Sequence, residues 1–240
     1  MKIKKIEREK HIIFLQDISL IKSGENLNKA IFFDRDGVLI KDKHYIKESK
    51  YVSLMKGAKE MLSHTNNLGY LNIIITNQSG ISRNFFTWKD YEKVTNKMLQ
   101  IINMPDVITA IYANGEGPNE LNADKSWRKP NPNMILKASQ DFNIDLSQSF
   151  LVGDRLSDIQ AGHKAGLKNL VHILTGHGYD ERKLSDIKKL AGRGSKVMLT
   201  KSIHEIAELS GKIKEVTGGV GANVIYDPVG SHYSEPALRA

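Results

Sequence analysis

Two carboxylates directly follow an apolar run near the start of the chain. Residues 30–33 read A-I-F-F, and Asp34, Asp36 and Gly37 come next. A short apolar run that ends in a turn signal is typical of a buried strand in a parallel sheet, and ligands bind at the carboxyl ends of such strands. Strand alternation would place both carboxylates on one side, where they repel each other unless a cation lies between them. Mg²⁺ suits such oxygen ligands, so the pair indicates a magnesium site, or else an ordinary acidic turn.

Two later segments offer groups that could hold a phosphate. Tyr70–Ile75 is predicted to be a buried strand, and T-N-Q-S-G follows it at 76–80. Its hydroxyl, amide and backbone N–H groups could bind phosphate, although a strand-to-helix loop with an N-cap would look the same. Arg128 and Lys129 stand before two prolines in R-K-P-N-P. An arginine fork beside a lysine point charge suits phosphate, and a solvated basic loop is the alternative.

A second carboxylate group follows another predicted strand. Residues 149–152 (S-F-L-V) end in Gly153-Asp154, and Asp158 lies four residues further on. The ends of four predicted strands or their loops therefore carry polar side chains. In a doubly wound sheet these ends converge on one edge. Together they supply a carboxylate nucleophile, an acid/base carboxyl, phosphate-binding cations and an acidic metal site, which is the inventory for phosphoryl transfer through an aspartyl-phosphate.

Strands and helices alternate through the middle of the chain. This alternation predicts an α/β fold with a Rossmann-like, doubly wound parallel sheet. Beyond those already described, the predicted strands are His11–Leu15, Val107–Tyr112 and Asn169–Leu174. The predicted helices are Val52–Leu68, Trp88–Ile102, Asn133–Phe142 and Ile159–Ala165. The histidines His163, His172 and His177 lack metal-ligand spacing, so we assign them no role.

Composition narrows the function classes. The chain has 240 residues, 40% of them hydrophobic, and no cysteine, which excludes disulfides and zinc–thiolate sites. No apolar run is long enough to span a membrane, and the basic N-terminus lacks the apolar core of a signal peptide. We therefore expect a soluble, cytoplasmic protein. The net charge of +8 comes from scattered lysines and arginines without interleaved aromatics, so an anionic small substrate is favoured over nucleic acid.

In order and spacing, D-R-D-G-V, T-N-Q-S-G, R-K-P-N-P and G-D-R-x-x-D resemble the four motifs of the haloacid dehalogenase (HAD) superfamily. Within it, the chain is similar to the D-glycero-D-manno-heptose 1,7-bisphosphate phosphatases, and next to the histidinol-phosphatase branch. The resemblance covers about residues 30–208. It implies a Rossmann-like sheet without a large cap domain.

The resemblance also implies roles for individual residues. Asp34 would attack phosphorus, and Asp36 would protonate the leaving oxygen and then activate water. Asp34, the Asp36 backbone carbonyl and Asp154 would hold Mg²⁺, while Thr76 and Lys129 would stabilise the transferring phosphoryl group. The substrate contacts implied by the family are Asp42, Lys43, His44, Tyr45, Asn77, Gln78, Ser79, Arg128 and Arg155.

One departure from the family concerns zinc. Many members carry a structural zinc loop, Cys-x-His followed by Cys-x-Cys, before the R-K-P segment. The matching positions here are Ala113, Gly115, Lys125 and Trp127, none of which is a ligand. We therefore predict no zinc, and the loop from 113 to 127 must be held in another way or move.

The ends of the chain fall outside the resemblance. We expect residues 1–29 to be an N-terminal extension with an accessory strand or hairpin. Residues 209–240 resemble a fragment of a quinone oxidoreductase from the medium-chain dehydrogenase family. That fragment lacks the G-x-G-x-x-G turn and is too small to bind a dinucleotide, so we expect it to be non-functional. A bifunctional enzyme is the alternative, which the missing turn disfavours.

These observations lead to one main functional hypothesis. The chain is expected to be a monomeric Mg²⁺-dependent phosphatase of a sugar phosphate, by resemblance a heptose bisphosphate on the pathway to lipopolysaccharide precursors. It is expected to bind neither nucleic acid nor membrane, and a nucleic-acid phosphatase, suggested by the net charge, is a weaker alternative that salt-dependent DNA binding would support. Histidinol phosphate or another small phosphomonoester is the rival substrate. A non-catalytic phosphosugar-binding protein is the rival of another class, and it would be expected to have lost Asp34, Asp36 or Lys129, which are all present.

Overall fold

A computed structural model describes residues 4–8, 10–15, 27–118, 125–191 and 194–206. The tail that resembles a quinone oxidoreductase, residues 209–240, lies outside the described residues. So does part of the long loop, residues 119–124. No helix among the described residues is long and apolar enough to cross a membrane.

The described residues form one eight-stranded sheet in the order β1-β2-β5-β4-β3-β6-β7-β8. Six strands, β3 to β8, pair in parallel, and the antiparallel hairpin β1–β2 extends the sheet beyond β5. The strands are β1 (Lys4–Arg8), β2 (His11–Leu15), β3 (Lys29–Phe33), β4 (Tyr70–Asn77), β5 (Ala110–Asn114), β6 (Phe150–Gly153), β7 (Asn169–Ile173) and β8 (Lys196–Thr200). The α/β Rossmann-like fold is confirmed, with an antiparallel edge that the parallel-sheet prediction did not include.

Helices cover both faces of the sheet, which is why its central strands are apolar on both sides. The helices are α1 (Ala58–Asn67), α2 (Trp88–Ile102), α3 (Asn133–Phe142), α4 (Leu156–Lys164) and α5 (Glu181–Ala191). On one face, Phe33 and Ile74 pack with residues of α1 and α2. On the other face, Phe32 and Ile73 pack with residues of α3, α4 and α5. Each fully buried side chain of this kind stabilises the fold by roughly 1.5–3 kcal/mol.

Helix ends follow local sequence signals closely. Helix α2 begins after Thr87, whose side chain accepts a hydrogen bond from the Asp90 N–H while the Asp90 carboxylate accepts one from the Thr87 N–H, a capping box. It ends at Asn103, whose backbone is left-handed with φ of 47°. Helix α3 ends in the same way at Asn143. Both helices have the predicted bounds.

Other predicted bounds were wrong. The helix predicted at 52–68 begins only at Ala58, because Gly57 has a left-handed φ of +88° and Leu54 forms a bridge with Ile40. The strand predicted at 107–112 lies at 110–114. Strands β1 and β8 and helix α5 were not predicted.

Candidate active site

A buried lysine lies between two carboxylates at the carboxyl edge of the sheet. Lys129 Nζ is 2.8 Å from Asp34 Oδ1 and 2.7 Å from Asp158 Oδ1, and it donates a 2.9 Å hydrogen bond to the Ile75 carbonyl. Asp34 follows β3, Asp158 lies in the first turn of α4, and Lys129 comes from the loop before α3. All three side chains are almost fully buried. Direct contact in a dry site makes this ion pairing strong.

The pKa values in this cluster are shifted by burial and by neighbouring charge. Burial lowers the pKa of Lys129, but the carboxylates of Asp158 and Asp34 outweigh it, so the net shift is upward and the ammonium stays charged. Burial raises the pKa of Asp34 to about 6, against the lowering effect of Lys129. Asp34 is therefore mostly ionised at neutral pH, as a nucleophile must be.

Asp154 brings a third carboxylate to the cluster, and the three residues Asp34, Asp154 and Asp158 have oxygens within 4.8 Å of one another. Asp154 Oδ2 accepts a 3.2 Å hydrogen bond from the His177 N–H, whereas its buried Oδ1 has no hydrogen-bond partner among the described residues. Burial, with the charges of Asp34 and Asp158, raises the pKa of Asp154 to about 8. An unpaired buried oxygen beside two further carboxylates fits a hard divalent cation such as Mg²⁺.

Gly37 leaves the space that the Asp154 carboxylate occupies. Its φ is +85°, and a Cβ there would lie 2.4 Å from Asp154 Oδ2. Glycine is therefore required twice, for the turn after Asp36 and for the approach of Asp154.

A hydrogen-bond network at the base of the site holds Asp36. The fully buried Arg35 donates to both Asp36 carboxylate oxygens, at 2.9–3.1 Å. Gln78 Nε2 donates to Asp36 Oδ2 at 2.9 Å and to Thr76 Oγ1 at 2.8 Å, and Gln78 Oε1 accepts from Arg35. Because the Thr76 oxygen accepts this bond, its own proton is free to point toward a phosphoryl group. Asp34 and Asp36 thus each contact a separate cationic side chain, Lys129 and Arg35.

Asn77 lies against the backbone of Lys129. Its Oδ1 accepts from the Lys129 N–H at 3.0 Å, and its Nδ2 donates to the Lys129 carbonyl at 3.1 Å. Both ends of the amide are used in this contact. Asn77 therefore contacts the Lys129 backbone through both ends of its amide, and the substrate contact that the resemblance implied stays a prediction.

The loop after β3 forms one wall of the entrance. Asp42 Oδ1 accepts from the His44 N–H at 2.9 Å, while Asp42 Oδ2 lies 3.3 Å from Arg155 and 3.2 Å from His177 Nε2. Partial burial raises the pKa of Asp42, but the His44 N–H and the charges of Arg155 and His177 outweigh it, and the net shift is downward. His44 and Tyr45 both have left-handed backbones, a conformation that costs about 1–2 kcal/mol in a non-glycine residue.

The Arg128 guanidinium lies close enough to those of Arg83 and Arg155 to be affected by their charges. Burial lowers the pKa of Arg128, and so do the charges of Arg83 and Arg155. The Arg83 guanidinium lies over the Tyr45 ring at 5.8 Å, and Tyr45 packs edge-on against Phe85 at 4.8 Å. Like charges held this close favour binding of an anion between them.

Comparisons with known proteins fit this geometry. The family model described as polynucleotide kinase 3 phosphatase matches residues 29–188. A relative from Helicobacter pylori (strain 26695), named D-glycero-beta-D-manno-heptose-1,7-bisphosphate 7-phosphatase, is 40% identical over 146 residues, which cover 60% of this chain and 83% of the relative. The chain is a phosphatase of the HAD superfamily, in the same family as this relative.

A second relative and a crystal structure support this family assignment. A Burkholderia mallei protein named for the alpha anomer of the same bisphosphate is 38% identical, covering 58% of this chain and 77% of that protein. The crystal structure of a D,D-heptose 1,7-bisphosphate phosphatase from B. bronchiseptica, complexed with magnesium and phosphate, matches with a TM-score of 0.65 and 27% identity. It covers 77% of this chain and 98% of the other. HAD phosphatases depend on Mg²⁺, and the carboxylates of this phosphatase are placed to hold it.

The structure brings most of the predicted site residues of the phosphatase to this edge of the sheet. Lys43 is exposed, and Ser79 is half-buried in the turn after β4. Sequence reasoning missed three contributors: Arg35, Arg83 and the backbone of His177. Arg35 lies between the two motif aspartates, so its position was the one available signal, while the other two depend on tertiary contacts.

Proposed function

We propose that the phosphatase hydrolyses D-glycero-D-manno-heptose 1,7-bisphosphate to heptose 1-phosphate and inorganic phosphate, on the pathway to lipopolysaccharide precursors. The observation that carries the chemistry is the Lys129 ammonium in contact with Asp34. The names of the relatives carry the choice of substrate. Since those names include both anomers, the anomer is left to the assay.

In the first step, an Asp34 carboxylate oxygen attacks phosphorus, and the bond from phosphorus to the sugar oxygen breaks. The departing oxygen takes a proton from Asp36, which gives the sugar alcohol and an aspartyl-phosphate on Asp34. In the second step, Asp36 accepts a proton from water, whose oxygen attacks phosphorus and releases phosphate and Asp34. Lys129 and the Thr76 hydroxyl stabilise charge on the phosphoryl oxygens.

The metal site would be formed by Asp34, Asp154 and the backbone carbonyl of Asp36. When bound, Mg²⁺ neutralises the phosphoryl oxygens, so that an anionic nucleophile can approach. Asp158 pairs with Lys129 and keeps the ammonium close to Asp34. Asp34 would therefore be contacted both by Lys129 and by the metal.

The substrate's second phosphate would bind at the entrance. Arg83 and Arg155 lie close to Arg128, and arginine forks match phosphate geometry. Tyr45 lies beside them and could pack on the sugar. A site with one buried lysine and three arginines outside it suits a substrate with two phosphate groups.

A polynucleotide 3′-phosphate is the second candidate substrate. The description of the matched family model names this activity, and the net charge of +8 would attract nucleic acid. The charges at the entrance serve either substrate. The two are separated by assay, because binding to a polynucleotide weakens steeply with salt.

The test is phosphate release with Mg²⁺ from both anomers of the heptose bisphosphate, histidinol phosphate, p-nitrophenyl phosphate and a 3′-phosphorylated oligonucleotide. Asp34→Asn serves as the inactive control. We expect the highest kcat/KM with a heptose bisphosphate. Preference for histidinol phosphate or the oligonucleotide would change the assigned substrate, while the assigned mechanism through Asp34 would still hold. A folded protein that binds the bisphosphate but releases no phosphate would favour the non-catalytic binding protein.

We also propose that the enzyme acts in the cytoplasm, because phosphorylated sugars are charged and stay in the compartment that makes them. A monomeric state stays a prediction, which light scattering coupled to gel filtration would test.

A further inference from the structure

The loop between β5 and α3 contains no cysteine or histidine, the residues that bind structural zinc. Within the described part of the chain, two clusters of potential metal ligands occur, Asp34 with Asp154 and Asp158, and Asp42 with His44 and His177. Neither cluster includes a residue of this loop. Zinc, which the family resemblance implies for this loop, does not fit the residues present. Another interaction must close the loop, since Arg128 and Lys129 follow it directly.

The closing interaction is made by Glu116. This residue is 8% exposed, and Ser126 is 6% exposed. Glu116 Oε2 accepts hydrogen bonds from the Ser126 hydroxyl and, at 3.1 Å, from the Trp127 N–H. Hydrogen bonds to a buried charged group are among the stronger ones in proteins. We call the contacts among Glu116, Ser126 and Trp127 the Glu116 clasp.

Two residues of the clasp also form hydrogen bonds with Arg128. The Ser126 hydroxyl oxygen accepts from the Arg128 N–H at 3.0 Å, and the Glu116 carbonyl accepts from Arg128 Nη1 at 3.1 Å. Arg128 is therefore held at its backbone and at its guanidinium by the two sides of the loop. The Ser126 carbonyl also accepts from Asn133 in the first turn of α3.

The N-terminal hairpin supports the clasp from behind. Strand β2 pairs with β5, and the Gly115 N–H donates to the Lys10 carbonyl at 2.8 Å. The His11 ring packs on Trp127 with centroids 4.5 Å apart, and His11 Nε2 lies 3.7 Å from Glu116 Oε1. The hairpin precedes residues 29–188, which the family model matches.

We propose that Glu116 is a positioning residue that replaces a structural metal and holds Arg128 where it binds the substrate's second phosphate. The choice of that phosphate rests on the proposed function. The clasp itself rests only on the contacts above. Its loss should weaken binding of a substrate with two phosphates while leaving the chemistry at Asp34 intact.

The test uses the full chain with Glu116→Ala, Glu116→Gln and Ser126→Ala. For the heptose bisphosphate, KM is expected to rise about tenfold in Glu116→Ala, the effect of about 1.4 kcal/mol, with little change in kcat. Glu116→Gln keeps an acceptor oxygen, so it should show a smaller rise and keeps the test valid where alanine prevents folding. For p-nitrophenyl phosphate, which has one phosphate, kcat and KM should stay unchanged in all three variants.

Two controls separate positioning from general stability. Asp141→Ala removes the acceptor of the Tyr112 hydroxyl hydrogen bond, which is 2.8 Å long, so it should lower the melting temperature without raising KM. Arg128→Ala should raise KM, and adding Glu116→Ala to it should raise KM no further. A wild-type KM in Glu116→Ala, or effects that multiply in the double variant, would overturn the proposal. Stoichiometric zinc in the purified protein would overturn it as well.

If the wild type does not hydrolyse the heptose bisphosphate, the proposed function fails and the clasp is still tested. Fructose 1,6-bisphosphate is then measured as an inhibitor of p-nitrophenyl phosphate hydrolysis. The clasp predicts that its inhibition constant rises about tenfold in Glu116→Ala, and an unchanged constant would contradict the clasp.

Discussion

Lys129 Nζ lies 2.8 Å from Asp34 Oδ1 and 2.7 Å from Asp158 Oδ1, so one buried cation forms ion pairs with two carboxylates. Substituting Lys129 with Met keeps the volume and removes the charge. We expect a loss of about 10²–10³ in kcat with Mg²⁺, and a loss of roughly 3–5 kcal/mol of unfolding free energy in urea without metal, because carboxylates are left buried and unpaired. The exposed Lys168→Ala should change neither. Less than a tenfold fall in kcat would contradict the assigned role of Lys129.

Asn77 should act through Lys129. Asn77→Ala removes both hydrogen bonds to the Lys129 backbone, so the ammonium is less well placed and kcat should fall about 10²-fold, with a smaller change in KM. Asn28→Ala removes the hydrogen bond that the Asn28 side-chain amide donates to the Phe142 carbonyl. This control variant should lower stability without changing kcat or KM. If Asn77→Ala instead raised KM at unchanged kcat, a direct substrate contact, as the family resemblance implied, would be supported.

Gly37 should be required for metal binding. Gly37→Ala places a Cβ where Asp154 Oδ2 lies, so affinity for Mg²⁺ in calorimetry should fall at least about tenfold. Gly166 is the matched control, because its φ of +89° is similar and nothing lies within 4 Å of its Cβ position. Gly166→Ala should cost about 1–2 kcal/mol of stability and leave the affinity unchanged. Equal losses of affinity in both variants would show that backbone strain alone is responsible.

Metal binding should depend on pH through Asp154. Its pKa is raised to about 8 without metal, so at neutral pH a proton must leave before the carboxylate binds Mg²⁺. Apparent affinity should rise by up to about tenfold per pH unit and level off near pH 8. Without metal, the folded protein keeps the Asp154 proton up to about pH 8, whereas the unfolded chain releases it near the ordinary pKa of Asp. The free energy of unfolding should therefore fall as the pH rises from that ordinary pKa toward 8.

Melting temperatures at pH 6, 7 and 8, with and without Mg²⁺, test both effects. Stabilisation by Mg²⁺ should grow with pH in the wild type and should be weak and nearly flat in Asp154→Asn. Equal stabilisation at all three pH values in the wild type would contradict the assignment of Asp154 as a metal ligand.

The gathering of the motifs at one edge was predictable because it depends on strand ends alone. Asp34 and Asp154 each follow a short apolar run, and parallel pairing brings such ends together. Helix α2 was predictable because Val94, Met98, Leu99 and Ile102 recur at helical spacing and form one apolar face. The start of α1 was not, because Gly57 and the bridge from Leu54 interrupt an apolar pattern that reads as continuous.

Contacts between distant residues were beyond sequence reasoning. Asn77 and Lys129 are 52 residues apart, and Gln78 reaches Arg35 over 43. Asn77 and Gln78 were predicted as substrate contacts from their motif, and the motif alone gave no sign of their bonds to Lys129 and Arg35. The contacts of Glu116 could not be predicted either, because a glutamate in a polar loop is expected to be exposed to solvent, whereas Glu116 is buried.

Mass spectrometry of the protein, quenched in acid during turnover of a phosphorylated substrate with Mg²⁺, tests directly whether Asp34 is the nucleophile. We predict one added phosphoryl group on the peptide that contains Asp34, and neither label nor phosphate release in Asp34→Asn. Phosphate release by Asp34→Asn at the wild-type rate, or a label on another residue, would contradict Asp34 as the nucleophile.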